Sequence, residues 1–220
     1  MSIKWLEKAR ENRIDKLEED AYETKDKYME SVLGKEYGMV MHAIIPYAIG
    51  GGLDLYYYPN YCAGAVIATK ELTNYKFNEP KNDQYDAYEL IMITKHKIDL
   101  DSVKEGEPCE NTFAYDHKSI NGILNCIAPY STQSKLNQYD TIEFPEDFEG
   151  VGGKCLIIDA FSHPLCDKST RNKKFGLMLL MEIHRNEMEY AMQQKGRDLI
   201  EKFKATGIYP FTGINRPSVV

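Results

Sequence analysis

From Gly38 to Thr94 the apolar residues come in short runs cut by turn formers, a pattern that admits little besides a sheet. Met39 to Tyr47 is one such run, closed by Ala48-Ile49-Gly50-Gly51-Gly52. Leu53 to Tyr58 alternates, is rich in Tyr and stops at Pro59-Asn60; Gly64 to Thr69 and Tyr88 to Thr94 are two more. Further on, Cys155 to Phe161 and Phe175 to Ile183 read as strands. Residues 76–86, 99–111 and 163–174 are polar and read as loops. Strands of a mixed or antiparallel sheet are therefore expected.

Helical patterns flank these runs. Over residues 3–33, Leu6, Ala9, Ile14, Leu17, Ala21, Tyr28, Met29, Val32 and Leu33 recur at helical intervals, with Ser2 to cap the start and Gly34 to end it. The stripe is thin from Glu18 to Lys27, which leaves room for a break into two helices. His117 to Ala128 places Ile120, Ile123, Leu124 and Ile127 on one face, with Pro129 just beyond. Asn186 to Ala205 is the strongest helical pattern, with Met188, Met192, Leu199 and Phe203 in one stripe, joined by Ala191 and Ile200. The tail carries Pro210, Gly213 and Pro217 and is not helical. The expected fold is α+β and a single domain over 1–220. Its helical N-terminal segment spans 1–37, and a long C-terminal helix packs on a central sheet.

Charge and cysteine usage narrow the function classes. The net charge of −7 argues against nucleic-acid binding, which needs a basic surface, and suits a basic partner. The N-terminus is charged and no apolar run has the length of a membrane span, so neither a signal peptide nor a membrane partner is expected. Five cysteines, odd in number and widely spaced, read as reduced thiols and a cytoplasmic protein. The 16 Tyr against 8 Phe fit pleated strand surfaces first and contact surfaces second.

No catalytic motif assembles. His42, His96, His117, His163 and His184 have no zincin spacing, and His163 with Cys166 offers two ligands where zinc takes more, so no metal and no cofactor are expected. Gly50-Gly51-Gly52 leads into a strand, and Gly150-Val151-Gly152-Gly153-Lys154 lacks phosphate-loop spacing. No GxSxG elbow occurs. Asp54, between Leu53 and Leu55, reads as a sheet-face carboxylate or a contact for a basic partner. Arg216, in Asn215-Arg216-Pro217, reads foremost as a fork that pins the tail to a carboxylate, and otherwise as a partner contact.

Gly52-Leu53-Asp54-Leu55-Tyr56-Tyr57-Tyr58-Pro59 resembles the aspartate-centred strand of suppressor-of-fused-like domains. Ala65 to Asn74 resembles the strand and turn that follow, and Tyr88-Glu89-Leu90-Ile91-Met92 the next strand. Ile183 to Tyr190 resembles the family's strand-to-helix junction. Gly196, Leu199 and Phe203 lie in a helix like its last, and Asn215-Arg216-Pro217 resembles its closing motif. The sequence departs where Lys70-Glu71 replaces an expected Gly and across residues 95–175. The resemblance implies a non-catalytic protein-binding domain. The animal member's two-domain clasp is not carried over, and stand-alone bacterial members resemble immunity proteins that neutralise toxins. A toxin domain is accordingly the expected partner. Asp54, Tyr56, Tyr58, Glu89 and Arg216 are the candidate contacts. The alternatives are an enzyme built on Asp54, Glu89 and a histidine, or an intracellular scaffold.

Overall fold

The structure, a computed structural model, describes residues 3–61, 63–73, 79–104, 107–166 and 174–220; at 3–15, 17, 18, 104 and 166 it describes the backbone only. Among these residues the chain runs α1 (Ile3–Leu33), β1 (Tyr56–Tyr58), β2 (Ala65–Ala68), β3 (Ala87–Thr94), α2 (Phe113–Ser131), β4 (Thr141–Glu143), β5 (Cys155–Ala160), β6 (Leu165–Cys166), β7 (Lys174–Ile183), α3 (Arg185–Tyr190) and α4 (Gly196–Ala205). The seven strands form one mixed sheet in the order β1-β2-β3-β7-β5-β4, with β6 pairing onto β7. β3 and β7, at its centre, are parallel over Ala87–Ile91 and Phe175–Leu179, and the other pairs are antiparallel. The α+β class with a helical N-terminal segment is as expected.

Both faces of the sheet are covered. Tyr57, Ile67, Tyr88, Leu90, Met92, Leu156, Ile158, Met178 and Leu180 pack with Ile120, Ile123, Leu124 and Ile127 of α2. Their alternate neighbours Tyr58, Val66, Ile91, Ile93, Ile157, Leu177, Leu179 and Met181 pack with Met29 and Leu33 of α1, Met188 of α3 and Leu199, Ile200 and Phe203 of α4. Strands buried on both sides explain why β2, β3 and β7 read as nearly continuous apolar runs.

Four expectations change. α1 is continuous through Glu18–Lys27; its Ser2 cap and most of its side chains before Glu19 lie outside the described residues. α2 runs on through Pro129; the ring removes one N–H bond, but with only Tyr130 and Ser131 beyond it little helix is left for a kink to disturb. Met39 to Tyr47 is no strand of the sheet. It makes isolated bridges at Met41–Leu55 and Pro46–Gly52 and then a short 3-10 turn. The C-terminal helical arm is interrupted by a wide turn, Ala191–Lys195, in which Gln194 has φ +61°. There the backbone at Gly196 lies so close to Tyr139 that an added Cβ would stand 2.7 Å from the Tyr139 Cβ. As a result Met192 leaves the apolar stripe and is 66% exposed. Between β6 and β7, residues 167–173 lie outside the described chain, as do Cys62 and residues 74–78 and 105–106.

Candidate functional site

The segment that failed to become a strand is the most unusual surface feature of the protein. Residues 41–55 fold back as a hairpin fixed at its base by backbone bonds in both directions between Met41 and Leu55. At the tip, Gly51 N–H donates to the Pro46 carbonyl and Gly52 N–H to the Ile45 carbonyl, both at 3.0 Å. A Cβ at Gly51 would lie 1.8 Å from the Ile45 oxygen, so the closure demands glycine. Tyr47 packs inward against the α2-side core, while Ile44 is fully exposed and Ile49 is 76% exposed. Ile45 and Met39 are also exposed.

Asp54 holds this hairpin in place. Its carboxylate accepts from the Ala43 N–H at 2.9 Å and meets His42 Nδ1 at 2.7 Å, while its own N–H donates to Glu71 Oε2 at 3.0 Å. From α2, Asn125 Oδ1 accepts the Leu53 N–H at 2.8 Å. Burial, together with the charges of Asp54 and Glu89, raises the Glu71 carboxyl above its usual value despite the backbone bond from Asp54 and nearby Lys25. An excess of negative charge thus sits at the base of an apolar tip.

Glu89 and Tyr58 lie in the interior instead. Glu89 is fully buried on β3 and accepts from Lys25 Nζ at 3.1 Å, Thr69 Oγ1 at 2.6 Å, Thr73 Oγ1 at 2.7 Å and the Leu72 and Thr73 N–H groups. Lys25 comes from α1. In the opposite direction Lys70, beyond β2, reaches under α1 to Asp26 and Glu36. Its ammonium sits over three tyrosine rings, 4.8 Å from the centroid of Tyr56, 5.8 Å from Tyr22 and 5.9 Å from Tyr58. Tyr58 is buried and donates to Glu36 at 3.4 Å. Burial, reinforced by acidic neighbours, raises the Tyr56 and Tyr58 hydroxyls well above the ordinary range. The Lys70-Glu71 departure noted in the sequence therefore supplies both the caged lysine and the hairpin's acidic base.

Arg216 lies near the C-terminal end of the chain and pins the tail. It forks onto Glu187 of α3 at 2.6 and 2.7 Å, stacks over Phe203 at 4.8 Å, and lends its carbonyl to His184 Nε2 at 2.7 Å. Burial alone would raise the Glu187 carboxyl. The Arg216 fork and the N–H groups of His184 and Val219 outweigh it and hold the group below its usual value. The tail also bridges the sheet where β3 and β7 diverge: Thr212 N–H donates to the Ile93 carbonyl, and its hydroxyl accepts the Glu182 N–H.

Beside that fork a cleft of about 340 Å³ is lined by His96, Asp116, Ser119, Lys154 and Glu182. His96 Nδ1 meets Asp116 at 2.9 Å, but the Ser119 hydroxyl is turned to Glu182 at 3.3 Å, and Lys154 pairs with Glu182 at 2.6 Å. Internal pairing thus occupies these polar groups. Of the enzyme considered from the sequence, only Asp54 and His42 meet, and Glu89 is sealed from any substrate. Among the described residues no group of three or more His, Cys, Asp or Glu has the arrangement of a metal site. The thiols of Cys109, Cys126 and Cys155 are free, and the Cys166 side chain lies outside the described residues. No described helix is long and apolar enough to cross a membrane.

Among solved structures, this fold is similar to that of suppressor of fused. The chain superposes on a chain of the crystal structure of the Sufu-Fu complex with a TM-score of 0.59 and 15% identity, covering 90% of this protein and 92% of that chain. Drosophila Suppressor of Fused is similar over 80% of this protein and 46% of its own chain, with a TM-score of 0.49 and 16% identity. No family model and no curated protein matches the sequence.

Proposed function

We propose that this chain is one suppressor-of-fused-like domain that acts by binding another protein, without catalysis, through the hairpin bearing Ile44, Ile45 and Ile49. The observation that carries this reading is the exposure of these isoleucines on a loop that glycine closure and hydrogen bonds to Asp54 fix in shape. Exposed apolar surface is unfavourable in water, and a pre-organised tip loses little entropy when a partner covers it. Asp54 and Glu71 at the base, and a net charge of −7, favour a partner with a basic rim. The similar chain above comes from a protein–protein complex, which accords with this reading.

The partner we favour is a toxin domain encoded beside this chain, neutralised in the cytoplasm in the manner of an immunity protein. Co-expression with adjacent reading frames tests this. Protection of growth by the native chain, and loss of protection and of co-purification with Ile44→Asp/Ile49→Asp, are the expected results. Retained binding by that variant removes the hairpin from the interface, and failure to bind or neutralise any adjacent product removes the toxin.

A further inference from the structure

Deep in the cleft beside the Arg216 fork the polar groups pair with one another; at its mouth they do not. One wall is the start of α2, with Tyr115 on the helix and Glu110 and Asn111 just before its Thr112 cap. The other wall is the tail from Phe211 to Arg216, which Thr212 ties to the end of β3, together with Lys95 just beyond that strand. Ile120, Ile208 and Phe211 supply apolar lining between them, and the exposed Tyr115 and Ile214 extend it outward.

The two walls differ in chemistry. Of the charged residues in the lining, Asp116 meets His96, Lys154 meets Glu182 and Arg216 meets Glu187. Lys95 and Glu110 have no ion-pair partner among the described residues, and both are exposed. Lys95 instead holds its ammonium 5.6 Å from the centroid of Phe211, which places it on the tail side. The same wall carries spare donors. The N–H groups of Gly213, Ile214 and Asn215 reach no acceptor among the described residues, and the Arg216 Nε is buried without a partner. The α2 wall offers the reverse, the free Glu110 carboxylate and the unbonded side-chain amide of Asn111. The mouth is thus neutral overall, with a positive, donor-rich side and a negative, acceptor-bearing one.

We propose that this cleft binds a free α-amino acid with an apolar or aromatic side chain. Its carboxylate accepts from Lys95 and the tail N–H groups, and its ammonium donates to Glu110 and the Asn111 amide oxygen. Its side chain covers Ile208 and Phe211. Two opposite charges on one small molecule match the two uncompensated side chains, whereas a singly charged ligand is attracted by one wall and repelled by the other. The volume of about 340 Å³ lies at the small end of the range of about 300–1,000 Å³ that small-ligand sites occupy. This site is separate from the isoleucine hairpin and does not depend on the protein-binding reading.

Calorimetric titration and amide NMR of the full chain with L-phenylalanine, L-tryptophan, L-leucine and L-methionine test the proposal. At least one should bind, with shifts at Lys95, Asn111, Tyr115 and Gly213–Asn215. For the best binder, the N-acetyl derivative lacks the ammonium and the carboxamide lacks the carboxylate; each should bind about tenfold or more weakly. Lys95→Met should weaken the acid far more than the carboxamide, and Glu110→Gln should weaken the acid far more than the N-acetyl derivative. Both variants should keep the native urea midpoint, because each removes an exposed charge that forms no ion pair. Ile44→Asp/Ile49→Asp should leave the affinity unchanged. Binding by none of the four, or shifts confined to other surfaces, would overturn the proposal. So would full binding of the N-acetyl derivative, since the cleft would then read a carboxylate alone, as at the end of a partner chain.

Discussion

Arg216 could serve the fold or a partner, and its removal decides between them. In Arg216→Met the fork onto Glu187 is lost while the aliphatic stem still covers Phe203. Glu187 is fully buried, so its charge would be left inside with only the His184 and Val219 N–H groups to solvate it. Removing one partner of a buried pair costs about 3–5 kcal/mol, and the two remaining donors put the value here near the lower end, about 3 kcal/mol. Equilibrium urea unfolding of the native chain, both single Met variants and Arg216→Met/Glu187→Met measures this directly. The double variant should lose less than the sum of the singles, because no charge is stranded. Amide exchange at Val219 and Thr212 should quicken in Arg216→Met as the tail lifts. Acid sensitivity supplies a second readout. The folded Glu187 carboxyl lies below its ordinary value of 4.5, so its contribution is full above 4.5 and is lost as pH falls through the folded value. Arg216→Met should remove that acid-labile part. A cost below about 1 kcal/mol with unchanged tail protection would refute the clasp and free Arg216 as a partner contact.

Other outcomes follow from the same geometry. His117 is buried on α2 against the Tyr57 hydroxyl at 2.8 Å, and burial lowers it from 6.5 to about 4. The unfolded chain therefore takes up this proton first, so stability should fall between pH 6.5 and about 4 by up to about 3 kcal/mol, and His117→Phe should flatten that limb of a pH series of urea melts. Glu89→Ala strands Lys25 and several donors, whereas Lys25→Met leaves Glu89 with four other bonds; the first should cost about 1–2 kcal/mol more in thermal or urea unfolding. Gly51→Ala drives a methyl into the Ile45 carbonyl and should destabilise by about 1–3 kcal/mol, with exchange quickening first at the hairpin amides.

Much of the architecture was legible because periodicity is a local signal. β2, β3, β5 and β7, buried on both faces, stand out as apolar runs, and α2 shows its stripe through Ile120, Ile123, Leu124 and Ile127. Met39–Tyr47 has the same apolar signature and a different fate, because the Gly50–Gly52 closure turns its isoleucines outward. Composition cannot separate an apolar strand from an apolar tip. The break at Gln193-Gln194 was equally hidden, since neither residue opposes helix and the cause is the close approach of Gly196 to Tyr139, distant in sequence. Of the site residues, Asp54 and Arg216 carry local features that the structure turns into anchoring bonds. Glu89 and Tyr58 looked available only because their partners Lys25 and Glu36 lie far away in the chain.

The thin stripe of α1 from Glu18 to Lys27 shows how far such non-local pairing reaches. Among its described residues the helix buries Ala21, Met29 and Leu33, with Tyr28 and Val32 half-buried beside them, apolar groups that by themselves mark one register only weakly against the next turn along. Lys25 fills the gap between them and delivers its charge to Glu89, while Lys70 returns a charge from the sheet to Asp26. Sliding α1 by one turn would strand two buried lysines and Glu89, at several kcal/mol. The crossed pairs thus act on register more than on net stability, with a single position for α1 over β1, β2 and β3. That position decides what a partner can reach. α1 and the Lys70 cage close off Glu89 and Tyr58, and among the described residues they leave open the isoleucine hairpin beside β1.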